Sequence, residues 1–252
     1  MQIGKKIHHI KKINSTMEAC AQLAAQGAES GTIVSANYQD SGRGRFKRKW
    51  LSPNGENIQI SIILRPTQGE LKYLNMFASM AVLATCEQVM NCNAAIKWPN
   101  DIQINGRKIS GILTESIIEG NKVISSIIGI GLNVNLDVKS EIGIEKTATS
   151  VRNEKGRYTS RSVILKTLIK NLNFYYSKIV DGESLGKQWS EKLSTIGETV
   201  SLSFGQDPSE KPLVGIAESV TIDGSLLIRL SDDSLFTANA GEVTLVKNSH
   251  LL

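Results

Sequence analysis

Residues 101–134 read DIQINGRKISGILTESIIEGNKVISSIIGIGLNV, and this stretch decides the fold. Asn105-Gly106 and Gly120-Asn121 are dipeptides that accept the positive φ angles of tight hairpin turns. They divide the stretch into three predicted strands: one ending at Ile104, one over residues 108–118 and one over residues 123–134. On the third, Ile124, Ile128, Ile130, Leu132 and Val134 share one face and read as core. The opposite face, Val123, Ser125, Ile127, Gly129, Gly131 and Asn133, becomes small and polar toward its end. Such a face leaves room either for a bound ligand or for a crowding helix backbone.

Working outward, residues 7–13 and 32–38 read as strands, and Ser15 or Thr16 caps a helix that runs to about Gln26 and is closed by Gly27. Ile58, Ile60, Ile62 and Leu64 alternate with Gln59 and Ser61, giving a strand stopped by Pro66. Leu71, Leu74, Ala78, Ala81, Thr85 and Gln88 recur at helical spacing, and Phe77, Met80 and Leu83 widen that face into a buried helix. Further helical patterning covers residues 162–180 and 185–193. After Gly197 come five short predicted strands, near 199–204, 213–220, 226–230, 235–237 and 243–246, with a loop at Asp207-Pro208-Ser209 and a turn at Asp223-Gly224. The expectation is an α+β fold: a mixed β-sheet flanked by helices over residues 1–195, then a small β-barrel over residues 196–252.

The 252 residues are 40% hydrophobic, with 21 Gly and 21% charged, an ordinary globular composition and too apolar for a disordered chain. No apolar run approaches the length of a membrane span, and the lysine-bearing N-terminus lacks the apolar core of a secretory signal. Cys20, Cys86 and Cys92 are odd in number and without metal-ligand spacing, as expected of a reduced cytoplasmic protein. The net charge of +5 is local. Residues 1–50 carry nine Lys and Arg against three acids, whereas residues 196–252 carry three against eight. The basic residues thus form a patch, which tempers any general affinity for nucleic acid.

Four segments carry candidate chemistry. Gly42-Arg43-Gly44-Arg45-Phe46-Lys47-Arg48-Lys49-Trp50 combines glycines, whose N–H groups approach an anion closely, with arginines able to grip phosphate. It is neither of the common glycine-rich nucleotide motifs, and alone it reads equally as a solvated or RNA-binding loop. Lys97-Trp98-Pro99-Asn100-Asp101 between two strands is costly unless its polar groups are used, the simpler alternative being a turn in which Asn and Asp bond their own backbone. Lys108 opens a strand in which Gly111 removes a side chain from one face. The fourth segment is the strand ending Gly129-Ile130-Gly131-Leu132-Asn133.

Together these segments resemble the biotin–protein ligase family. The resemblance rests on Asn14-Ser15-Thr16, on Gln39 with Gly42 through Arg48 and Trp50, on Lys97 through Asp101, on Lys108 through Leu113, and on Gly129 through Asn133, in family order. It covers roughly residues 7–155, and the tail is similar to the family's SH3-like domain. It implies a catalytic domain like those of class II synthetases and biotin–lipoate ligases. Met17 departs from the family, which usually has Asn there, and no winged-helix segment precedes the catalytic pattern, so the expected class is the monofunctional one without a repressor role.

The resemblance implies that biotin and ATP are joined as biotinyl-5′-adenylate and that biotin then passes to one lysine of a carrier domain of a biotin-dependent carboxylase. No nucleic-acid or membrane partner is expected, and a homodimer is left open. Biotin is assigned to Ser15, Thr16, Gln39, Gly42, Arg43, Gly44, Arg45, Lys108, Gly111, Leu113 and Gly129. The nucleotide falls to Arg45, Arg48, Trp50, Lys97, Asn100 and Asn133, with Mg²⁺ held mainly by its own phosphates. Lys108, Arg45 and Arg48 are the catalytic cations, and Asp101 steers or deprotonates the acceptor lysine. A carboxylate attacking an anionic phosphate needs them: at about 4 Å and an effective dielectric near 20, each cation offsets on the order of 4 kcal/mol. No covalent enzyme intermediate is required, so the cysteines read as structural, and His8 and His9, on alternate faces of the first strand with no partner cluster, read as non-catalytic.

Three rivals are weaker. Lipoate–protein and octanoyl transferases share the catalytic fold but carry an Arg-rich Gly-Gly-Gly segment where this chain has Lys97 through Asp101. A nucleic-acid-binding module predicts steep salt dependence and leaves Lys108, Gly129 and Asn133 without a purpose. A decayed ligase that only binds a partner is opposed by the intact Lys108 and Arg45.

Overall fold

The computed structural model describes residues 1–51, 53–141, 143–205 and 211–246. Its first sheet has seven strands, β1 (Ile7–Ile13), β2 (Ile33–Gln39), β3 (Ile58–Leu64), β4 (Ala95–Lys97), β5 (Asp101–Ile104), β6 (Arg107–Glu119) and β7 (Lys122–Leu132). They lie in the order β1-β2-β3-β7-β6-β5-β4. Only β1 and β2 are parallel, joined through α1 (Thr16–Ala25); the other neighbours are antiparallel, so the sheet is mixed as expected. Both hairpin turns form where the dipeptides place them, with Asn105 at φ 50° and Gly106 at φ 73°.

One face of the sheet packs on α2 (Leu74–Met90), with α4 (Arg161–Val180) behind it. Ile60, Ile62, Ile112, Ile128 and Ile130 point into this core against Phe77, Ala81, Leu168 and Leu172, all buried. α2 is apolar all round because it is enclosed on both sides. The opposite face is only partly covered. α1 lays Met17, Cys20 and Ala24 against Val34, Ile63 and Ile127, and the remainder, over Gln59, Gly111, Gly129 and Gly131, is left as the floor of a cleft. A helix of only ten residues is too short to cover the face, and that shortness creates the site.

Two short helices, α3 (Val151–Lys155) and α5 (Gly186–Ser190), lead to a second sheet of β8 (Thr199–Ser203), β9 (Leu213–Val220), β10 (Leu226–Arg229), β11 (Leu235–Ala238) and β12 (Glu242–Leu245). It is antiparallel, in the order β11-β10-β9-β8-β12. No pairing closes β11 onto β12 among the described residues, so the expected barrel is represented by an open five-stranded sheet. Trp98 joins the two layers: it is 2% exposed, and its Nε1 donates to the Gly224 carbonyl at 2.9 Å.

Several expectations need correction. The strand expected up to Ile104 is two, β4 and β5, paired around Trp98-Pro99-Asn100 with a cis Trp98–Pro99 bond. The helix expected over 185–193 holds only for Gly186–Ser190. α3, capped by the Ser150 hydroxyl, was too short to show a helical period. Ile124 is half-buried rather than core. Asp207-Pro208-Ser209 and Ser52 lie outside the described residues.

Candidate functional site

The uncovered face and the loop between β2 and β3 enclose a cleft of about 660 Å³, within the range of sites for small molecules. At one end, Ser15 caps α1 and is 2% exposed. Thr16 gives its amide N–H (2.8 Å) and its hydroxyl (3.0 Å) to Oε1 of Gln39, and its own oxygen accepts from Ser61 at 2.8 Å. This end is neutral and rich in hydrogen-bonding groups. Its wall is apolar: Met17 lies against Gly129, where an added Cβ would come within 2.7 Å of the thioether sulfur, and Leu113 packs on the same cluster. Gly129 therefore makes room for Met17, and both line this end of the cleft.

The other end is cationic. Lys108 Nζ pairs with Asp101 at 2.6 Å and stands 5.6 Å from the centre of the Trp50 ring. Arg45 stacks on Phe46 and reaches Asn100 Oδ1 at 3.4 Å, and its burial pushes the guanidinium below its ordinary pKa. Arg43 grips both oxygens of Glu115, and Arg48 pairs with Glu242 on β12, so a residue of the second sheet closes the loop from outside. The loop turns through Phe46 (φ 52°) and Lys47 (φ 57°), an unusual pair of left-handed residues between Arg45 and Arg48, both of which line the cleft. Between the two ends the floor is glycine, with the Trp50 indole resting on it. An added Cβ at Gly131 would stand 2.4–2.7 Å from the Trp50 indole, and one at Gly111 3.1–3.3 Å from Lys108 and Trp50.

Of the residues expected at the site, Ser15, Thr16, Gln39, Arg43, Gly44, Arg45, Arg48, Trp50, Lys97, Asn100, Asp101, Lys108, Gly111, Leu113, Gly129 and Asn133 all line this one cleft. Gly42 does not: it is buried, and its carbonyl accepts the Trp50 N–H at 2.8 Å, so it shapes the loop. Asn133 lines the cleft, but its amide also donates to the Thr149 carbonyl and accepts from Asn57. Sequence reasoning missed Ser61, Gln59, Glu115 and Glu242. Ser61 and Gln59 occupied the polar positions of an alternating strand, a pattern that normally marks a solvent face; here Thr16 covers Ser61 and the cleft takes that place at Gln59.

The profile of the biotin/lipoate A/B protein ligase family matches residues 9–133. The chain is 37% identical over 172 residues to the bifunctional ligase/repressor BirA of Bacillus subtilis, a match that covers 66% of this chain and 52% of that protein. It thus spans about half the length of that relative. It is 30% identical over 231 residues to the biotin–[acetyl-CoA-carboxylase] ligase of Paracoccus denitrificans, covering 87% of this chain and 92% of that one. Among solved structures, the biotin protein ligase of Aquifex aeolicus in complex with biotin and ATP superimposes with a TM-score of 0.80 at 26% identity, over 96% of this chain and 99% of the other.

Proposed function

The chain belongs to the biotin/lipoate A/B protein ligase family, and from that premise we infer that it is an ATP-dependent biotin–protein ligase. It forms biotinyl-5′-adenylate from biotin and ATP, releases pyrophosphate, and passes the biotinyl group to one lysine of a biotin carboxyl carrier domain. One observation carries this reading: a single continuous cleft, neutral and hydrogen-bonding at one end, cationic at the other, with a glycine floor between. That is the shape and charge pattern of a neutral ring head joined through an acyl chain to a phosphate.

The bicyclic head sits against Thr16 and Gln39, with Ser61 bracing Thr16 from behind, and its sulfur-containing edge lies toward Met17. The carboxylate then lies by Lys108, and the α-phosphate between Lys108, Arg45 and Arg48. In the first step a carboxylate oxygen attacks the α-phosphorus and pyrophosphate leaves. The cations lower the repulsion between the two anions and stabilise the charge that builds on the phosphate oxygens. Burial of Arg45 away from water strengthens its share. In the second step the neutral amine of the acceptor lysine attacks the acyl carbon and AMP leaves. The Asp101 carboxylate, at the rim beside Lys108, takes the proton or steers the incoming ammonium. Among the described residues no cluster of three or more His, Cys, Asp or Glu is placed to hold a metal; magnesium would ride on the nucleotide's own phosphate oxygens and neutralise charge there.

Residues 1–195 form the catalytic unit in this reading, and residues 196–252 the appended SH3-like unit, which reaches the site through Glu242. The three cysteines are unpaired, in keeping with a cytoplasmic protein, and no described helix is long and apolar enough to cross a membrane. Incubation with biotin, ATP and a biotin carboxyl carrier domain, followed by mass spectrometry, tests the function. Biotin on one lysine is the expected product. Transfer of lipoate but not of biotin would overturn the assignment.

A further inference from the structure

One step along β3 from the head-group network, a row of partnered residues crosses the sheet: Gln59 on β3, Gly131 on β7, Gly111 on β6 and Asp101 on β5. Gln59 is 2% exposed and lines the cleft, yet among the described residues neither its Oε1 nor its Nε2 has a partner. The polar residues two positions away on either side are engaged. Asn57 donates to Asn133 Oδ1 at 3.2 Å and accepts the Val134 N–H at 3.0 Å, and Ser61 donates to Thr16 at 2.8 Å. A buried amide with both ends unmet works against folding, so its use lies with what enters the cleft.

We propose that Gln59 reads the carboxyl end of the acid substrate, its Nε2 donating to one carboxyl oxygen from the wall opposite Lys108. The proposal rests on the ligase reading and names a contact within it. Position supports it first. The step from Ser61, which bonds Thr16, to Gln59 is about 6.8 Å along the strand, a length comparable to the extended valerate chain between a ring head at Thr16 and its carboxyl. Charge supports it second. Across the two glycines, Lys108 Nζ stands 3.2 Å from the Cβ position of Gly111, held from its far side by Asp101. The Trp50 indole lies over both glycines, and its Nε1 is a second buried N–H without a partner among the described residues. The row therefore offers two neutral donors and one ammonium, and its one carboxylate is already engaged. An ammonium alone accepts any anion, the nucleotide's phosphates included. An amide adds direction: it holds the oxygen that does not attack and leaves the other aimed at the α-phosphorus.

The test is Gln59→Leu, which keeps the volume and removes both polar atoms. Binding is measured for biotin and for an analogue whose chain ends in a methyl group in place of the carboxyl, with the melting temperature of the empty protein alongside. The expected results are biotin binding weakened tenfold or more, analogue binding within twofold of wild type, and an empty-protein melting temperature unchanged or raised. Equal losses for both ligands, or undiminished biotin binding, overturn the proposal. So does a lowered melting temperature of the empty protein in both Gln59→Leu and Gln59→Met, since that would give the amide a structural partner. Wild-type protein that fails to bind biotin at all would overturn the ligase reading itself, an outcome distinct from a failure confined to Gln59.

Discussion

Replacing Gly131 by Ala is the most direct probe of the glycine floor under Trp50. The new Cβ would lie 2.4 Å from Cε2, 2.5 Å from Cζ2 and 2.7 Å from Nε1 of the Trp50 indole, where ordinary contact begins at 3.4 Å. The ring must therefore retreat by about 1 Å, the difference between 2.4 and 3.4 Å, and Lys108 already stands on that ring. Overpacking of this kind costs about 1–3 kcal/mol, or a factor of roughly 5 to 150 in the folding equilibrium. Urea unfolding followed by circular dichroism measures the loss. In a Trp50→Ala background the same substitution should cost little, so the double-mutant cycle should return most of that energy as coupling between the two positions. Biotin-dependent exchange of pyrophosphate into ATP should fall at least tenfold in Gly131→Ala, because the displaced indole takes Lys108 with it, and stay low in the double variant, which lacks the ring altogether. An unchanged stability, or an equal cost with and without Trp50, would refute the packing argument.

Lys108→Ala should lower exchange by two powers of ten or more while barely moving the melting temperature, since its pair with Asp101 is partly exposed (side chains 35% and 23%) and such pairs contribute about 0–1 kcal/mol; near wild-type exchange would remove Lys108 from the mechanism. Arg45→Gly should still make the adenylate but hold it poorly, labelling lysines of unrelated proteins with biotin, and in the wild type biotin plus ATP should slow protease cleavage between Arg43 and Lys49; unchanged selectivity together with equal cleavage would sink this view of the loop. Burial pushes the Cys20 thiol up to about 12 and raises Cys86 and Cys92 as well. A raised pKa leaves little thiolate at pH 8, so access decides: iodoacetamide should label only half-buried Cys92 in the native protein, and native labelling of Cys20 at a similar rate would contradict the packing of α1.

The strands were legible because their signals are local. Asn105-Gly106 and Gly120-Asn121 fix the hairpins by backbone conformation alone, and the alternation in β3 fixes its two faces. What the alternation does not carry is what covers the polar face, since Gln59 and Ser61 look the same whether they meet water or a ligand. The cations of the site were legible as residue types in a glycine-rich loop. Their partners were not, because Glu115 lies 72 residues from Arg43 and Glu242 lies 194 from Arg48, and no local pattern couples such positions. Met17 was visible as a departure, but only the structure puts its sulfur over Gly129. The division of 95–104 into two strands likewise depends on Trp98 reaching the second sheet, a tertiary contact that strand patterning does not contain.

The central claim is that the neutral end of the cleft selects biotin and the cationic end activates it with ATP. Exchange of labelled pyrophosphate into ATP, measured with biotin, with lipoate and with neither acid, tests it without any carrier protein. Exchange that depends on biotin and is absent with lipoate or with no acid is the predicted result. Exchange supported by lipoate and not by biotin, or none with either, would contradict the account.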